Sequence, residues 1–182
     1  DDKVKGEPKF EALASRVERR PALDLYHSAL GVRLGGERHV IEQAPVRDRR
    51  GDRRGEVAEG AVGFAGAGRL RLFRYEVRCW RGGEIPDVDE AVASPQRLSS
   101  DPGHARAALD VVSQVPTPVW GRDELRTGDM WNSNSVVAWV LSRSGIDVSL
   151  VHPPAGGRAP GWQAGLVVAE RASTAAAPRG AR

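Results

Sequence analysis

One segment alternates charged and apolar residues more regularly than any other part of the chain. It runs from Arg69 to Trp80 and reads RLRLFRYEVRCW. Because successive side chains of a β-strand point to opposite faces, this pattern predicts a strand with one buried face. The Gly82-Gly83 pair that follows predicts a turn at the end of the strand.

A second pair of glycines predicts a hairpin earlier in the chain. Gly35 and Gly36 separate two runs rich in β-forming residues, 25–34 and 37–44. A glycine pair suits a tight turn, because both central residues of such a turn adopt positive φ. We therefore expect 25–34 and 37–44 to be paired antiparallel strands.

This turn sets the register of the hairpin. Ala29 is expected opposite Glu42, and His27 diagonally beside Glu42 on the same face of the sheet. The other face then collects apolar residues, as burial of one face demands. These residues are Leu30, Val32, Leu34 and Ile41.

Two helices have clear start signals. Asp101 can cap a helix whose first turn contains Pro102, and the polar quartet 132–135 precedes an apolar face at helical spacing that ends at Gly145. Further elements are expected in four places: a long loop with at most one short strand over 46–67, a short helix near 87–93, and strands at 146–151 and 166–168.

The chain length and the mixture of strands and helices indicate one α+β domain. With 182 residues and 40% hydrophobic residues, the chain can bury a core without disulfides or metals. We expect a lead-in over 1–23, a single domain over 24–170 and a disordered tail over 171–182. The sequence has no apolar run of membrane-spanning length and no signal peptide pattern, and its single cysteine favours the cytoplasm.

The charge distribution argues against a nucleic-acid site. The net charge is only +3, and the densest basic cluster is interrupted by acidic residues and contains no aromatic residue. A solvated loop explains that cluster better than a phosphate-binding surface, which stays the minor alternative. The cluster consists of Arg47, Arg49, Arg50, Arg53 and Arg54.

The start of the late helix is the most informative place for chemistry. Side-chain oxygens of the Asn132–Ser135 quartet can simply cap the helix. The same position also suits a nucleophile, because free amides and the helix dipole stabilise an anion there. Both interpretations stay open on the residues alone.

The helix sequence resembles a known group of enzymes. Residues 133–146, SNSVVAWVLSRSGI, are similar to the Cys-Asn-Thr-Trp helix of bacterial conserved hypothetical proteins labelled urease-associated. They also resemble the cysteine helices of PPPDE-type isopeptidases and of the lecithin:retinol acyltransferase relatives. The resemblance implies a circularly permuted papain-like fold of the NlpC type, with an antiparallel sheet packed against helices.

The resemblance also implies roles for individual residues. An early hairpin histidine followed by a late nucleophile helix is the chain order of His27 and Ser133, although serine replaces the cysteine of the families. Ser133 would attack an amide, ester or thioester carbonyl of a small molecule or peptide. His27 would move the proton, and amides of the helix start would hold the oxyanion. Glu42 would orient His27, with His39 as the second choice.

Other candidate residues complete the expected site. Trp131 can wall a cleft, although large aromatic residues more often fill cores, and Asn132, Asn134 and Ser135 flank the nucleophile as substrate-binding candidates. Cys79 alternates within a predicted strand and is expected to be a small core residue. We expect no metal and no cofactor, because Asp87, Asp89 and Glu90 lack the glycine and glutamate of a calcium loop.

Three explanations remain for a serine at the nucleophile position. The chain is a true serine hydrolase or acyltransferase, a catalytically inactive binding domain of the same fold, or a protein inactivated by that substitution. A serine reacts far more weakly than a thiolate unless the base activates it. The distance between Ser133 and His27 is therefore the most useful structural observation.

Overall fold

The computed structural model describes residues 24–25, 27–46, 55–70, 73–83, 96–153, 155 and 157–176. These ranges contain short strands and helices that we number in chain order. The strands are β1 (Asp24–Leu25), β2 (Leu30–Leu34), β3 (Glu37–Pro45), β4 (Glu56–Ala61), β5 (Arg74–Arg81) and β6 (Gly157–Arg158). The α-helices are α1 (Pro102–Val111), α2 (Ser133–Arg143) and α3 (Trp162–Ala176).

A four-stranded antiparallel sheet forms in the order β2-β3-β5-β4. The predicted hairpin is confirmed, with Leu30 opposite Ile41 and Leu34 opposite Glu37. The alternating segment supplies β5, which pairs with β3 on one side and with β4 on the other. The predicted short strand within 46–67 is β4, at one edge of the sheet.

One face of the sheet packs against the helices. Val32, Ile41 and Val77 share this face and are buried in one apolar cluster with residues of α1 and α2, among them Val136 and Val140. Full burial of each such side chain contributes about 1.5–3 kcal/mol to folding. We call this side of the sheet the helix face and the other side the outer face.

Two predicted helices are confirmed together with their start signals. Asp101 is the N-cap of α1, and its carboxylate accepts the Gly103 N–H over 2.7 Å. Asn132 is the N-cap of α2. The fold is therefore α+β, as the sequence predicts.

Two predicted strands were wrong. Within 146–151 the chain forms a 3-10 turn at Val148–Leu150, because the Asp147 side chain accepts the Ser149 N–H and closes a turn. Residues 166–168 belong to α3, since a run of three apolar residues does not distinguish a strand from a buried helix.

Two predicted boundaries also need correction. The expected strand 25–34 is interrupted, because β1 leaves the hairpin and pairs in parallel with β6. The expected disordered tail from Arg171 continues α3 to Ala176. Three expectations lie outside the described residues: the lead-in over 1–23, the arginine cluster within 47–54 and the helix near 87–93 with its acidic residues.

Candidate active site

The structure brings His27 and Ser133 together. Nδ1 of His27 lies 3.1 Å from Oγ of Ser133, although 106 residues separate them in the chain. This distance is within hydrogen-bond reach. The two residues that were predicted to converge from the early hairpin and the late helix are therefore in direct contact.

Ser133 is the first residue of α2, and its neighbours fix the helix start. The Asn132 side-chain oxygen accepts the Asn134 N–H over 2.9 Å and the Ser135 N–H over 3.3 Å. In return the Asn132 N–H donates to Ser135 Oγ over 3.0 Å. This reciprocal capping box holds the backbone of the first turn in a single arrangement.

The loop 157–161 connects the two halves of the site. Its first two residues pair with β1, only two residues before His27. Its end contacts the capping residues of α2, because Pro160 O accepts the Asn132 Nδ2 and Asn134 Nδ2 donors over 2.9 and 2.8 Å. This loop therefore contacts both the segment that carries His27 and the helix start that carries Ser133.

The protonation state of His27 suits a general base. Burial lowers the pKa of His27 below its ordinary value of 6.5, although part of the residue is exposed to solvent. The ring is therefore mostly neutral at pH 7. With its proton on Nε2, the ring accepts a hydrogen bond from the Ser133 hydroxyl through Nδ1.

The helix start offers fewer oxyanion donors than the sequence suggests. The amides of Asn134 and Ser135 already donate to the Asn132 side chain, and the Val136 N–H donates to Asn132 O. The amide of Ser133 itself stands at the first helical position, which has no intrahelical partner. Ser133 N–H is therefore the backbone donor best placed beside its own hydroxyl.

Glu42 lies on the opposite face of the sheet from α2. It pairs with Arg78 across β3 and β5, and its carboxylate forms an ion pair with the Arg78 guanidinium over 3.5 Å. Arg78 also forms an ion pair with Glu76. The structure therefore commits Glu42 to a charged cluster on the outer face instead of bringing it to the helix face beside Ser133.

His39 lies on the helix face, as its register opposite Val32 requires. Its Nδ1 atom is buried and makes no hydrogen bond within the described part of the chain. His39 is the third residue of β3 and lies close to the turn that joins β2 and β3. His27 precedes the other end of β2, which begins at Leu30. His39 does not share the end of the sheet at which Ser133 meets His27.

Gln43 was not identified as a site residue from the sequence. It lies opposite Val77 and two residues after Ile41, so its side chain is on the helix face. Only 7% of the residue is exposed, and neither side-chain polar atom has a hydrogen-bond partner among the described residues. A sequence signal existed, because Gln43 continues the predicted apolar face beyond Ile41 with a polar residue.

The predicted substrate-binding residues are mostly occupied by the protein itself. Trp131 is only 2% exposed and belongs to the core. Asn132 and Asn134 donate to Pro160 O, while Ser135 Oγ donates to Gly161 O over 2.7 Å. These bonds to the protein itself show that the side chains shape the helix start.

Neither Cys79 nor a depression at the surface includes Ser133 or His27. Burial raises the pKa of the half-buried Cys79 thiol, which disfavours a reactive thiolate. A shallow depression of about 290 Å³ is lined by Gly63, Phe64, Ala65, Arg122, Asp123 and Glu124. Among the described residues no group of three or more His, Cys, Asp or Glu side chains is placed to hold a metal ion.

A second serine–histidine pair provides an internal comparison. Ser99 Oγ lies 2.9 Å from His104 Nδ1 at the start of α1. Ser99 Oγ also accepts the Asp101 N–H over 3.1 Å, and Ser99 is exposed. This pair belongs to a surface cap, which makes it a suitable control for experiments on Ser133 and His27.

The remaining comparisons concern the chain as a whole. No helix in the described ranges is both long enough and apolar enough to cross a membrane. Comparison of the chain with known protein families, with curated proteins and with solved structures finds no match.

Proposed function

We propose that the chain is an acyl hydrolase or acyltransferase that acts on an amide, ester or thioester through Ser133 and His27. The single observation that carries the proposal is the 3.1 Å contact between Ser133 Oγ and His27 Nδ1 at the start of a helix. A hydroxyl bonded to a neutral imidazole is the arrangement that makes serine a nucleophile. The permuted papain-like fold belongs to the same proposal and is supported by the chain order of hairpin and helix.

The proposed reaction has two steps. Ser133 Oγ forms a bond to the substrate carbonyl carbon while its proton moves to His27 Nδ1. The imidazolium returns this proton to the leaving nitrogen, oxygen or sulfur as its bond to the carbonyl breaks, which leaves an acyl-serine. Water, or another acceptor, then attacks the acyl carbon and gives its proton to His27, and the imidazolium returns that proton to Ser133 Oγ as the bond between Oγ and the acyl carbon breaks.

The negative charge that develops on the carbonyl oxygen needs a donor. The Ser133 N–H, at the first position of α2, is adjacent to the attacking atom and points in the direction of the positive end of the helix dipole. Removing one such donor typically reduces the rate of acyl transfer by about 100- to 1000-fold. The donors of Asn134 and Ser135 remain bonded to Asn132 in this scheme.

A non-catalytic binding domain is the second candidate function, and the burial of Ser133 favours it. Only 4% of Ser133 is exposed, so a substrate carbonyl reaches Oγ only after a local movement. In this alternative the hydroxyl bonds His27 for structural reasons alone. The two functions differ in whether Ser133 reacts with an electrophile.

Labelling with a fluorophosphonate probe distinguishes the two functions. We expect the wild-type protein to be labelled at Ser133, as located by peptide mass spectrometry, and Ser133→Ala and His27→Ala to lose the label. Ser99→Ala and His104→Ala, which alter the surface pair, should be labelled like the wild type. A folded wild-type protein without label, or label that persists in Ser133→Ala, would contradict a catalytic role for Ser133.

A further inference from the structure

The Gln43 side chain is a buried polar group that the packing of the core does not explain. It is more than nine-tenths buried, and its Oε1 and Nε2 atoms make no hydrogen bond within the part of the chain that is described. An amide removed from water without a new partner destabilises a fold. An apolar side chain of similar size, such as methionine, would pack there without that penalty.

Gln43 lies at the end of the sheet where His27 meets Ser133. Gln43 is two residues before Pro45, which is opposite Tyr75, and the Tyr75 ring packs edge to face against Trp120. The next residue, Gly121, donates its N–H to Trp131 O, two residues before Ser133. Gln43 also faces the side on which α2 packs, because it shares the face of Ile41 and Val77. These contacts put Gln43 toward the end of the sheet at which α2 begins, on the face that α2 covers, and His27 contacts Ser133 at that helix start.

The geometry of His27 creates a need for an acceptor. For His27 to act as the base, Nδ1 must accept the Ser133 hydroxyl, which puts the proton of the neutral ring on Nε2, and an acceptor for the Nε2–H favours that tautomer. A glutamine carbonyl oxygen is such an acceptor. Glu42, the residue expected from the sequence, pairs with Arg78 on the outer face.

We propose that Gln43 is the positioning residue of the site, with its Oε1 accepting the Nε2–H of the neutral His27 ring both before and while Ser133 reacts. This inference rests on the proposed function for the reaction itself, but the contact between Gln43 and His27 is independent of it. The hydrogen bond is not formed in the structure, so its formation requires rotation of the two side chains. The bond would give the buried Gln43 amide a partner, which it does not have among the described residues.

Two substitutions of Gln43 test this role. Gln43→Met removes the acceptor and should lower the rate of fluorophosphonate labelling at least tenfold, while thermal stability stays equal or rises because no amide remains buried without a partner. Gln43→Glu keeps an acceptor and should restore most of the labelling. It should also move the acid limb of the labelling rate to higher pH, because a carboxylate beside the ring favours the imidazolium.

The control is an exposed glutamine. Gln96 is exposed and donates a long bond of 3.4 Å to Leu150 O, so Gln96→Met should leave labelling and its pH dependence unchanged. Labelling of Gln43→Met at the wild-type rate, with the wild-type pH profile, would overturn the proposal. Loss of labelling in Glu42→Gln, with retention in Gln43→Met, would assign the role to Glu42 instead.

Nuclear magnetic resonance separates a failure of this proposal from a failure of the proposed function. The ¹⁵N shifts of His27 report its tautomer and its pKa without any reaction at Ser133. We expect the Nε2–H tautomer in the wild type, and a changed tautomer population and pKa in Gln43→Met. Unchanged His27 shifts would refute the contact with Gln43, whereas changed shifts in a protein that no probe labels would refute only the catalysis.

Discussion

The backbone N–H of Gly161 donates a hydrogen bond to Asp129 Oδ2 over 2.7 Å. This bond ties the end of loop 157–161 to the turn that leads into α2. The Gly161 carbonyl accepts Ser135 Oγ in the same region, so Gly161 bonds both the approach to α2 and its first turn. The position of Ser133 thus depends on a glycine that follows it by 28 residues.

Gly161→Ala should destabilise the protein more than Gly36→Ala does. Both glycines have φ of 84°, where an alanine is strained by about 1–2 kcal/mol. An added Cβ meets nothing within 4 Å at Gly36 but would collide with the Asn132 side chain at Gly161. The collision displaces the cap of α2, which costs roughly another 1 kcal/mol or more.

Urea unfolding of the two variants measures this difference. The free energy of unfolding of Gly161→Ala should lie at least about 1 kcal/mol below that of Gly36→Ala. Equal losses in the two variants would show that the contact of Gly161 with Asn132 has no influence on the helix start.

The rate of labelling at Ser133 should rise with pH through a midpoint below 6.5. Burial lowers the pKa of His27 from 6.5, and only the neutral ring accepts the proton of Ser133. The rate is therefore low when the ring is protonated and reaches its plateau near neutral pH. Stopped-time labelling between pH 4 and pH 8 measures the profile, and a midpoint above 6.5 would contradict a desolvated base.

The free energy of unfolding should also depend on pH through His27. Because the folded pKa of His27 is below the unfolded value of 6.5, the unfolded chain binds more protons in this window. The contribution of the neutral ring is fully present above pH 6.5 and is lost as the pH falls through the folded pKa. The stability difference between wild type and His27→Gln should therefore shrink as the pH is lowered from 7, and a difference independent of pH would disagree with the lowered pKa.

Arg78→Leu should destabilise the protein far more than Arg81→Leu does. Arg78 is nearly buried and pairs with both Glu42 and Glu76, so its removal leaves two poorly solvated carboxylates side by side. The expected loss is roughly 3 kcal/mol. Arg81 pairs with Glu37 at the surface, where an ion pair contributes about 1 kcal/mol or less.

Thermal and urea unfolding of both arginine variants gives the comparison. A similar small loss in the two would mean that the carboxylates of Glu42 and Glu76 reach water when Arg78 is removed. In that case the ion pair with Arg78 would not be what holds the Glu42 side chain on the outer face.

The sequence predicted those elements whose signals are local. The Gly35-Gly36 turn determined the hairpin and its register, because glycine at positive φ and period-two alternation act within a few residues. The caps Asp101 and Asn132 marked the starts of α1 and α2 for the same reason. The strand predicted at 166–168 was wrong, because three apolar residues carry too little periodicity to indicate a helix.

The candidate site could be predicted only in part. A resemblance in chain order suggested that His27 and Ser133 would meet, and the structure brings them to 3.1 Å. The resemblance could not reveal that β1 leaves the hairpin and pairs with the distant β6. Extrapolating the hairpin register to His27 therefore favoured Glu42, which pairs with Arg78.

What the sequence determined by itself is the set of local elements: the Gly-Gly hairpin, the alternating strand and the capped helices. Only the tertiary structure decided which side chains of those elements meet: His27 contacts Ser133, Glu42 pairs with Arg78, and Gln43 is buried without a hydrogen-bond partner among the described residues. The physical reason is the distance along the chain over which each interaction acts. Turn, cap and alternation energies act between near neighbours in the chain, whereas the site depends on contacts between segments more than a hundred residues apart, which form only when the sheet and the helices pack.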